Sequence, residues 1–354
     1  MRNTIQKTYC IILCLIMIFP ALGLFYTIDF TETCENRTLK ELPEFNISKS
    51  FSNDFEAYFK DHFTLRNTII NLNSLIKYYV FNSSSKPENA IVGNNGWIFY
   101  TSKTDMELQS FSHTNLFTEN ELNENAKNWL ARKSALANQN TEYYMAVWPN
   151  KSTIYNHFVP FRLQAQQSQE ISKLDQVLNY LKEKNSPIQI LDVRKKLKEK
   201  SISEKIYHQT DTHWNSLGAF YAYQELMPMM NIQPYSKDDF TIKSQDYSGD
   251  LINLMGVCSP NIISEKQPIF EFKNSKIKIE IAETKLSNTV LVVNNNPELK
   301  NKILVFRDSY TSAMIEFISL HFKEAYFVWS DYNQDIVDKI KPEKVLVAKV
   351  ERYF

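Results

Sequence analysis

Glycine is scarce in this sequence, with only six residues among 354. No G-x-G-x-x-G run and no G-x-x-x-x-G-K-[ST] run occurs, which excludes the usual phosphate-binding loops of nucleotide folds. Net charge is also absent, because 40 Lys and Arg balance 40 Asp and Glu. A nucleic-acid-binding surface needs an excess of basic residues, so the composition argues against such a partner. Hydrophobic residues at 43% and aromatic residues at 13% instead indicate a globular chain with a large core.

Cysteine is limited to four residues, and two of them, Cys10 and Cys14, lie in an apolar run. Cys34 and Cys258 are the only pair that an oxidising compartment could join, and the sequence leaves their pairing open. There is no C-x-x-C spacing and no His/Cys cluster. The sequence therefore predicts neither a metal site nor a cofactor.

An apolar run near the N-terminus predicts the compartment. The run from Cys10 to Tyr26 follows Arg2 and Lys7 and precedes the first acidic residue, Asp29. This charge order places the N-terminus in the cytoplasm and exports the rest of the chain. The run is near the minimum length for a membrane span and contains a possible cleavage step, Ala21-Leu22-Gly23. A signal peptide and an uncleaved inner-membrane anchor are thus both open. Pro20 and the bulky Leu22 make the sequence a poor cleavage site, which favours the anchor.

The remaining chain divides into two predicted parts. Phe55, Phe59 and Phe63 recur at helical spacing, so residues 29–85 are predicted as a stalk with amphipathic helices. Residues 86–354 form the predicted catalytic domain. Residues 1–28, before both parts, are the predicted signal or anchor segment.

Strand and helix patterns alternate through most of residues 119–354, which predicts an α/β fold with a parallel sheet flanked by helices. A hairpin is expected at 90–100, and residues 232–301 are more irregular and strand-like and are predicted as an insertion. The predicted strands cover 142–148, 188–192, 302–306, 324–329 and 344–350. The predicted helices cover 119–139, 165–184, 216–229, 310–321 and 334–340.

A serine follows the predicted strand at 302–306, in the run Arg307-Asp308-Ser309-Tyr310 that leads into a helix. A serine at such a turn is presented to solvent, and the amides at the helix start can bind an oxyanion. Asp-Ser at a helix start is also an ordinary N-cap, which is the better interpretation of this motif taken alone.

The second candidate motif is Asp211-Thr212-His213. Residues two apart in extended chain point to one side, so the Asp211 carboxylate can reach Nδ1 of His213. Nε2 is then free to accept a proton from a serine. Asn215 or Ser216 is expected to cap the helix that follows, but a cap does not explain the Asp-x-His pair.

These two motifs belong to an ordered series. The series comprises Glu35–Pro43 (ENRTLKELP), Phe55–Arg66 (FEAYFKDHFTLR), Gly96–Tyr100 (GWIFY), Val147–Tyr155 (VWPNKSTIY), Asp211–Trp214 (DTHW), Gly249–Leu251 (GDL) and Asp308–Tyr310 (DSY). In this series the chain resembles the AlgJ/AlgX/DHHW group of SGNH-hydrolase-like proteins, which O-acetylate exported bacterial polysaccharides. The resemblance implies an SGNH-hydrolase-like sheet in which Asp-x-His precedes the serine, a circular permutation of the usual motif order.

The resemblance also implies residue roles. Ser309 is the expected nucleophile, His213 the general base and Asp211 the acid that orients it. The amide of Ser309 is the expected oxyanion donor, and Asn150 is a possible second donor. Lys151, beside it, is grouped with the substrate-binding residues.

Three further residues near the motifs are substrate-binding candidates. Arg307 stands where the family commonly has glycine, and it could favour an anionic glycan or point away. Trp214 and Tyr310 flank the proposed site and could stack on sugar rings, although core packing is the more common fate of such aromatics.

The function implied by the resemblance is a serine-dependent O-acetyltransferase that acts on an exported polysaccharide in the periplasm. Its acetyl donor would come through a membrane-bound O-acyltransferase, and an N-terminal anchor would hold it at the inner membrane. Two alternatives are open: a carbohydrate acetyl esterase with the same triad, and a non-catalytic scaffold in polysaccharide assembly.

Overall fold

The fold comes from a computed structural model that describes residues 2–19, 22, 29–30, 38–45, 49–258 and 262–354. The chain forms two compact units: an N-terminal unit of residues 1–91 and 250–263, and a sheet unit of residues 92–249 and 264–354. The predicted segments 1–28 and 29–85 fall within the first unit. The return of residues 250–263 to that unit is not predicted by the sequence.

The N-terminal unit is helical in its described part. Asp29 accepts hydrogen bonds from the amides of Asn67, at 2.7 Å, and Thr68, at 2.9 Å. These bonds satisfy two of the free amides at the start of a helix. The helices are α1 (Arg2–Ile18), α2 (Lys49–His62), α3 (Arg66–Phe81) and, in the later segment, α11 (Asp250–Leu254).

Within the described residues, no helix has both the length and the apolar character needed to cross a membrane. Part of the apolar run that the sequence analysis assigned to an anchor, including residues 23–26, lies outside the described residues. Cys10 and Cys14 carry free thiols, whereas Cys258 is disulfide-bonded. Cys34, the other member of the proposed pair, lies outside the described residues.

The sheet unit is built on seven strands in the order β4-β3-β11-β9-β10-β8-β7. Five of them, from β4 to β10, run parallel, whereas β8 and β7 are antiparallel to their neighbours. The predicted parallel sheet is therefore mixed at one edge. The strands are β3 (Glu142–Trp148), β4 (Ile190–Asp192), β7 (Ile279–Ala282), β8 (Thr289–Asn294), β9 (Lys302–Arg307), β10 (Glu324–Trp329) and β11 (Lys344–Val350).

Four shorter strands form two separate pairs. β1 (Ala90–Val92) and β2 (Ile98–Tyr100) make the hairpin that the sequence predicts. β5 (Phe240–Tyr247) and β6 (Glu265–Phe272) pair antiparallel within the segment predicted as an irregular, strand-like insertion. That segment thus supplies both a second small sheet and the antiparallel edge of the main sheet.

Helices cover both faces of the main sheet, which explains why its central strands are mostly apolar. Tyr143 and Met145 of β3 point into a core with α5 (Glu119–Ala137), α8 (Lys173–Glu183) and α13 (Gln334–Ile340). Since side chains alternate along a strand, Trp148 points to the opposite face. The other helices of this unit are α4 (Glu107–Phe111), α6 (Lys151–Ile154), α7 (Phe161–Gln164), α9 (Arg194–Ser201), α10 (Ser216–Met229) and α12 (Ile315–Ser319).

The start of α10 fixes the chain just after the Asp-x-His motif. The side chain of Asn215 caps this helix and accepts from the amides of Leu217 and Gly218, at 3.0 and 3.1 Å, which confirms the expected cap. Gly218 is required by close approach, because a Cβ there would lie 2.2 Å from the carbonyl oxygen of Ile206. The helix is therefore packed directly against the chain that leads into the motif.

Candidate active site

The turn after β9 carries Ser309. The Asp308 carboxylate accepts from the amide of Tyr310 at 3.0 Å and from the amide of Val350, at the end of β11, at 2.6 Å. It therefore caps the 3-10 helix Ser309–Met314 and ties the turn to the neighbouring strand. Burial raises the pKa of the Asp308 carboxyl. Ser309 itself is half-buried at the carboxyl edge of the parallel strands, where reactive groups of such sheets lie.

Ser309, His213 and Asp211 form one hydrogen-bonded chain. Nε2 of His213 lies 2.8 Å from Oγ of Ser309, and Nδ1 lies 2.7 Å from Oδ1 of Asp211. Both distances are within the range for a nucleophile, its base and the acid that orients the base. The His213 side chain is 28% exposed, so the reacting pair remains open to a substrate. The structure brings together the three residues that the sequence nominated.

The charge on Asp211 is stabilised by its hydrogen bonds. Burial disfavours the ionised carboxyl, but hydrogen bonding and charge attraction from His213, with a further bond from Tyr247, hold its pKa well below the usual range. The Tyr247 hydroxyl donates to Oδ2 at 2.6 Å, while Oδ1 faces the imidazole. Tyr247 was not found by the sequence analysis, because it lies 36 positions away with no motif of its own.

Two hydrogen bonds tie the histidine loop to the serine turn. Trp214 Nε1 donates to the carbonyl of Tyr310 at 2.9 Å, and the Tyr310 hydroxyl donates to the carbonyl of Thr212 at 2.8 Å. The loop itself is closed by an antiparallel bridge between Tyr207 and Trp214. We call residues 207–214 the histidine loop. Its position relative to Ser309 is thus set by direct contacts between the two segments.

Trp214 and Tyr310 are both about 1% exposed, which corrects the expectation that they stack on sugar rings. A buried ring has no face free for a sugar. Their aromatic edges pack together, with ring centroids 5.6 Å apart, and their polar atoms make the two bonds described above. The structure gives them a positioning role.

Lys151 contacts the backbone of the histidine loop. Its buried Nζ donates to the carbonyls of Asp211, at 2.6 Å, and His208, at 3.1 Å, with a longer contact to Gln209. Its ammonium group also lies 5.9 Å and 5.4 Å from the ring centres of Trp97 and Phe99. The expectation that Lys151 binds substrate is therefore corrected: its three donors are directed at the loop backbone.

The carboxylate of Glu265 also holds the histidine loop. Glu265 accepts from the amides of Gln209, at 3.0 Å, and Thr210, at 2.8 Å. Burial opposes its ionisation, but these amides and a salt bridge from Lys205 lower its pKa. Gly249 lies so close to the histidine loop that a Cβ at this position would be 2.2 Å from the carbonyl oxygen of Thr210. Side chains from distant parts of the sequence thus fix the loop backbone.

The oxyanion donors are only partly as expected. The amide of Ser309 has no hydrogen-bond acceptor within the described part of the chain, as an oxyanion donor requires. Asn150 is fully buried, its amide group donates to Ser110 at 3.1 Å, and its oxygen accepts from Arg352 at 3.2 Å. The expectation of a second donor at Asn150 is thus corrected, since this side chain belongs to a buried network.

Arg307 is also buried but lies at the edge of the site. Its Nη1 donates to Ser312 at 2.8 Å and to the carbonyl of Asp308 at 3.2 Å. Its guanidinium lies 4.9 Å from the ring centre of Trp329. The Arg307 side chain therefore lies against Trp329, and its expected preference for an anionic glycan stays a prediction.

A serine, a histidine and an aspartate in hydrogen-bonded order at the carboxyl edge of an α/β sheet form a catalytic triad, an arrangement that occurs on several unrelated folds. The family model for the SGNH hydrolase-like domain of the acetyltransferase AlgX matches residues 90–286, more than half of the chain. The chain belongs to this family. The matched segment includes Asp211 and His213 and ends before Ser309, which the sequence analysis nominates and which the hydrogen bond to His213 joins to the site.

Solved structures show the same fold. Bacillus cereus PatB1 aligns with a TM-score of 0.52 and 18% identity, covering 74% of this chain and 96% of that one. A DHHW family protein from Eubacterium siraeum aligns with a TM-score of 0.50 and 14% identity, covering 74% and 90%. The sequence has no significant match among curated proteins. Membership of this family indicates acetyl transfer by an SGNH-like domain.

Proposed function

We propose that this protein is an O-acetyltransferase that carries an acetyl group on Ser309 and passes it to a hydroxyl of an exported bacterial polysaccharide. The observation that carries the proposal is the hydrogen-bonded chain from Ser309 through His213 to Asp211, in a domain of an acetyltransferase family. The ionised Asp211 holds the imidazole with Nδ1 protonated, so that Nε2 accepts a proton from the serine.

In the first half-reaction, Oγ of Ser309 attacks the carbonyl carbon of an acetyl ester donor while Nε2 of His213 takes the hydroxyl proton. The amide of Ser309 stabilises the oxyanion of the tetrahedral intermediate. The intermediate then loses the donor alcohol, which takes the proton from His213. An acetyl ester on Ser309 remains.

In the second half-reaction, a sugar hydroxyl attacks this ester. His213 now removes the proton of the sugar hydroxyl and returns it to Oγ as the serine leaves. Water in place of the sugar gives the esterase reaction, and the partial exposure of His213 admits either acceptor. Acceptor choice therefore depends on how well bound sugar excludes water from the site.

One experiment separates the candidate functions. Purified protein is incubated with an acetyl ester donor, such as 4-nitrophenyl acetate, with and without oligosaccharide. A mass gain on the sugar supports transfer, whereas acetate release alone supports the esterase. Ser309→Ala is expected to abolish both, because the nucleophile is lost. If Ser309→Ala leaves acetylation of the cell's polysaccharide unchanged, the scaffold interpretation is favoured.

We further propose that the protein acts in the periplasm, held at the inner membrane by its N-terminal segment, and takes its acetyl group from a membrane-bound O-acyltransferase. The basic-then-apolar start of the sequence supports this placement. A C-terminal alkaline phosphatase fusion is expected to be active and membrane-associated. An inactive fusion would contradict export, and an active fusion recovered in the soluble periplasm would contradict the anchor.

A further inference from the structure

One side of helix α3, in the N-terminal unit, is both apolar and exposed. Five large apolar residues are between 43% and 69% exposed: Ile69, Leu72, Ile76, Tyr79 and Val80. Since an α-helix turns by about 100° per residue, these five positions fall within an arc of about 100°. We call this set the α3 stripe. It follows nearly the whole length of the helix and contains no charged residue.

The opposite side of α3 is polar and packed inward. Asn71 and Ser74 are only 6% and 2% exposed. The Asn71 side chain accepts a hydrogen bond from the amide of Cys258 at 2.8 Å, and Oγ of Ser74 lies 2.8 Å from Oγ of Ser85. A helix at the surface of a globular domain normally has the reverse pattern, with its apolar side buried. The polarity of α3 is therefore inverted.

These contacts also fix the rotation of the helix. The α3 stripe cannot turn inward without breaking the hydrogen bonds of Asn71 and Ser74. At the last turn, the Tyr79 hydroxyl donates to the carbonyl of Ile262 at 3.2 Å, and Ile262 is itself 50% exposed. The apolar surface thus extends beyond the helix. A contiguous exposed apolar surface of this kind marks a site of contact with a protein or a membrane.

The start of α3 is tied to the end of the N-terminal apolar run. The Asp29 carboxylate accepts from the amides of Asn67 and Thr68, and the amide of Phe30 donates to Oγ1 of Thr68 at 3.1 Å. The apolar run ends at Tyr26, three residues before Asp29. Three residues span at most about 11 Å. Asp29, and with it the first turn of α3, therefore lies close to the end of the proposed anchor.

A lipid bilayer fits the α3 stripe better than a second copy of the chain does. The stripe covers residues 69–80, fewer than two heptads, whereas a coiled coil sustains its apolar pattern over about three or four. A bilayer needs no matching surface, and a helix that lies in its plane buries one apolar face at the boundary between headgroups and acyl chains. Tyrosine is favoured at that depth, where its ring is apolar and its hydroxyl polar.

Resting on the inner-membrane anchor of the proposed function, we propose that α3 is an interfacial helix, with the α3 stripe embedded in the surface of the lipid bilayer. The stripe binds the boundary between headgroups and acyl chains rather than one kind of headgroup, because it carries no charge. The anchor and the α3 stripe then attach the N-terminal unit to the membrane at two points, which restricts its tilt.

The test places a fluorescent probe on the stripe of the full chain. Protein carrying Tyr79→Trp is reconstituted in phosphatidylcholine vesicles whose acyl chains are either unmodified or brominated, since bromine quenches tryptophan on contact. Wild-type emission is subtracted for each kind of vesicle. The emission added by the new tryptophan is expected to be about twofold lower, or less still, in brominated vesicles, because its ring lies among the acyl chains.

The neighbouring tyrosine provides the matched control. Tyr78 is half-buried and lies about 100° around the helix from Tyr79, outside the α3 stripe. Tyr78→Trp is therefore expected to add the same emission in both kinds of vesicle. Flotation of the vesicles on a sucrose gradient shows separately whether the protein is membrane-bound.

A second pair of variants removes the apolar surface itself. Leu72→Gln with Ile76→Gln, added to Tyr79→Trp, is expected to abolish the quenching, whereas flotation persists through the anchor. Asn73→Gln, at an exposed position between them, is the control and is expected to leave the quenching unchanged. All three positions are at least partly exposed in α3, so thermal melting is expected to be unaffected.

The proposal is overturned if the protein floats with the vesicles but Tyr79→Trp is quenched no more than Tyr78→Trp, or if the two glutamines leave the quenching unchanged. A disulfide-linked dimer formed by Leu72→Cys and not by the wild type would overturn it in favour of a second copy. Wild-type protein that does not float contradicts both the anchor and the stripe. Failure of the proposed acetyl transfer is distinct: the protein then neither hydrolyses the acetyl ester donor nor transfers its acetyl group, whatever the vesicles show.

Discussion

The serine turn and the histidine loop are held in place in different ways. The turn is fixed by strand β9, by the Asp308 cap and by one bond to the amide of Val350. The histidine loop contains little regular structure and is held by side chains such as Lys151, Tyr247 and Glu265. The nucleophile is therefore positioned by secondary structure, whereas the base is positioned by tertiary contacts. Substitutions should affect the two halves in different ways.

The largest effect on activity is expected at Asp211 in the histidine loop. Asp211→Asn keeps the shape of the side chain but removes the carboxylate that fixes the imidazole tautomer, so donor hydrolysis should fall by about 10³–10⁴-fold. Steady-state kinetics with 4-nitrophenyl acetate measure this loss. The matched control is Asp246→Asn, whose side chain is 70% exposed and paired with Lys266. Equal activity of Asp211→Asn and Asp246→Asn would contradict the assigned role of Asp211.

The next largest effect on activity is expected at Lys151, which donates to the backbone of the histidine loop. Lys151→Met retains the apolar stem but leaves the carbonyls of His208, Gln209 and Asp211 without their donor. We expect about 2–4 kcal/mol of destabilisation and about 100-fold lower activity, because the loop backbone must shift. Urea unfolding and steady-state kinetics provide the two readouts.

A half-buried lysine serves as the control for Lys151. Lys323 donates to one carbonyl, that of Asn294, at 2.9 Å. Lys323→Met is therefore expected to cost about 1 kcal/mol and to leave activity unchanged. If both variants lose the same stability and keep the same activity, Lys151 does not support the loop in the way described.

Much of the sheet could be predicted from the sequence, because its signals are local. The apolar strands at Glu142–Trp148, Glu324–Trp329 and Lys344–Val350 and the helix Ser216–Met229 have the predicted bounds. The antiparallel edge formed by β7 and β8 was missed. Short strands with partly exposed faces lack the long apolar runs that mark central parallel strands.

The candidate site was predictable where its chemistry lies in short motifs. Asp211, His213 and Ser309 are nominated by Asp-x-His and by a strand-turn-helix pattern. The contacts that support them are not predictable in this way, since Tyr247 and Glu265 meet the loop over 36 and 55 positions of sequence. Asn150, Lys151, Trp214 and Tyr310 were selected for the site, but burial assigns them to its support.

A smaller effect on activity is expected at Tyr247, which donates one hydrogen bond to Asp211 in the histidine loop. Tyr247→Phe removes the donor to Oδ2 of Asp211 and retains the ring that stacks on His208, with centroids 4.1 Å apart. A hydrogen bond to a charged group of this kind is worth about 1.5 kcal/mol, so kcat/KM should fall about 10-fold. Tyr326→Phe is the control, because that hydroxyl bonds to Glu324, away from the triad. Unchanged kinetics in Tyr247→Phe would show that His213 alone orients Asp211.

The smallest effect on activity is expected outside both segments, at His321. Burial lowers its pKa to about 4, below the ordinary value of about 6.5. The unfolded chain therefore binds the proton first, and the stability contributed by neutral His321 is full above about pH 6.5 and lost as the pH falls toward 4. His321→Gln should flatten the fall of unfolding free energy by up to about 1.4 kcal/mol per pH unit in this window, with wild-type activity at pH 7. Parallel stability curves for both proteins would contradict the buried neutral imidazole.

The central claim is that the hydrogen-bonded chain makes Ser309 the carrier of the acetyl group. Rapid acid quenching of the reaction with an acetyl ester donor, followed by peptide mass spectrometry, tests it directly. The account predicts one added acetyl group on the peptide that contains Ser309, and none in Ser309→Ala or His213→Ala protein. An acetyl group found on another residue, or equal labelling of the wild type and His213→Ala, would contradict it.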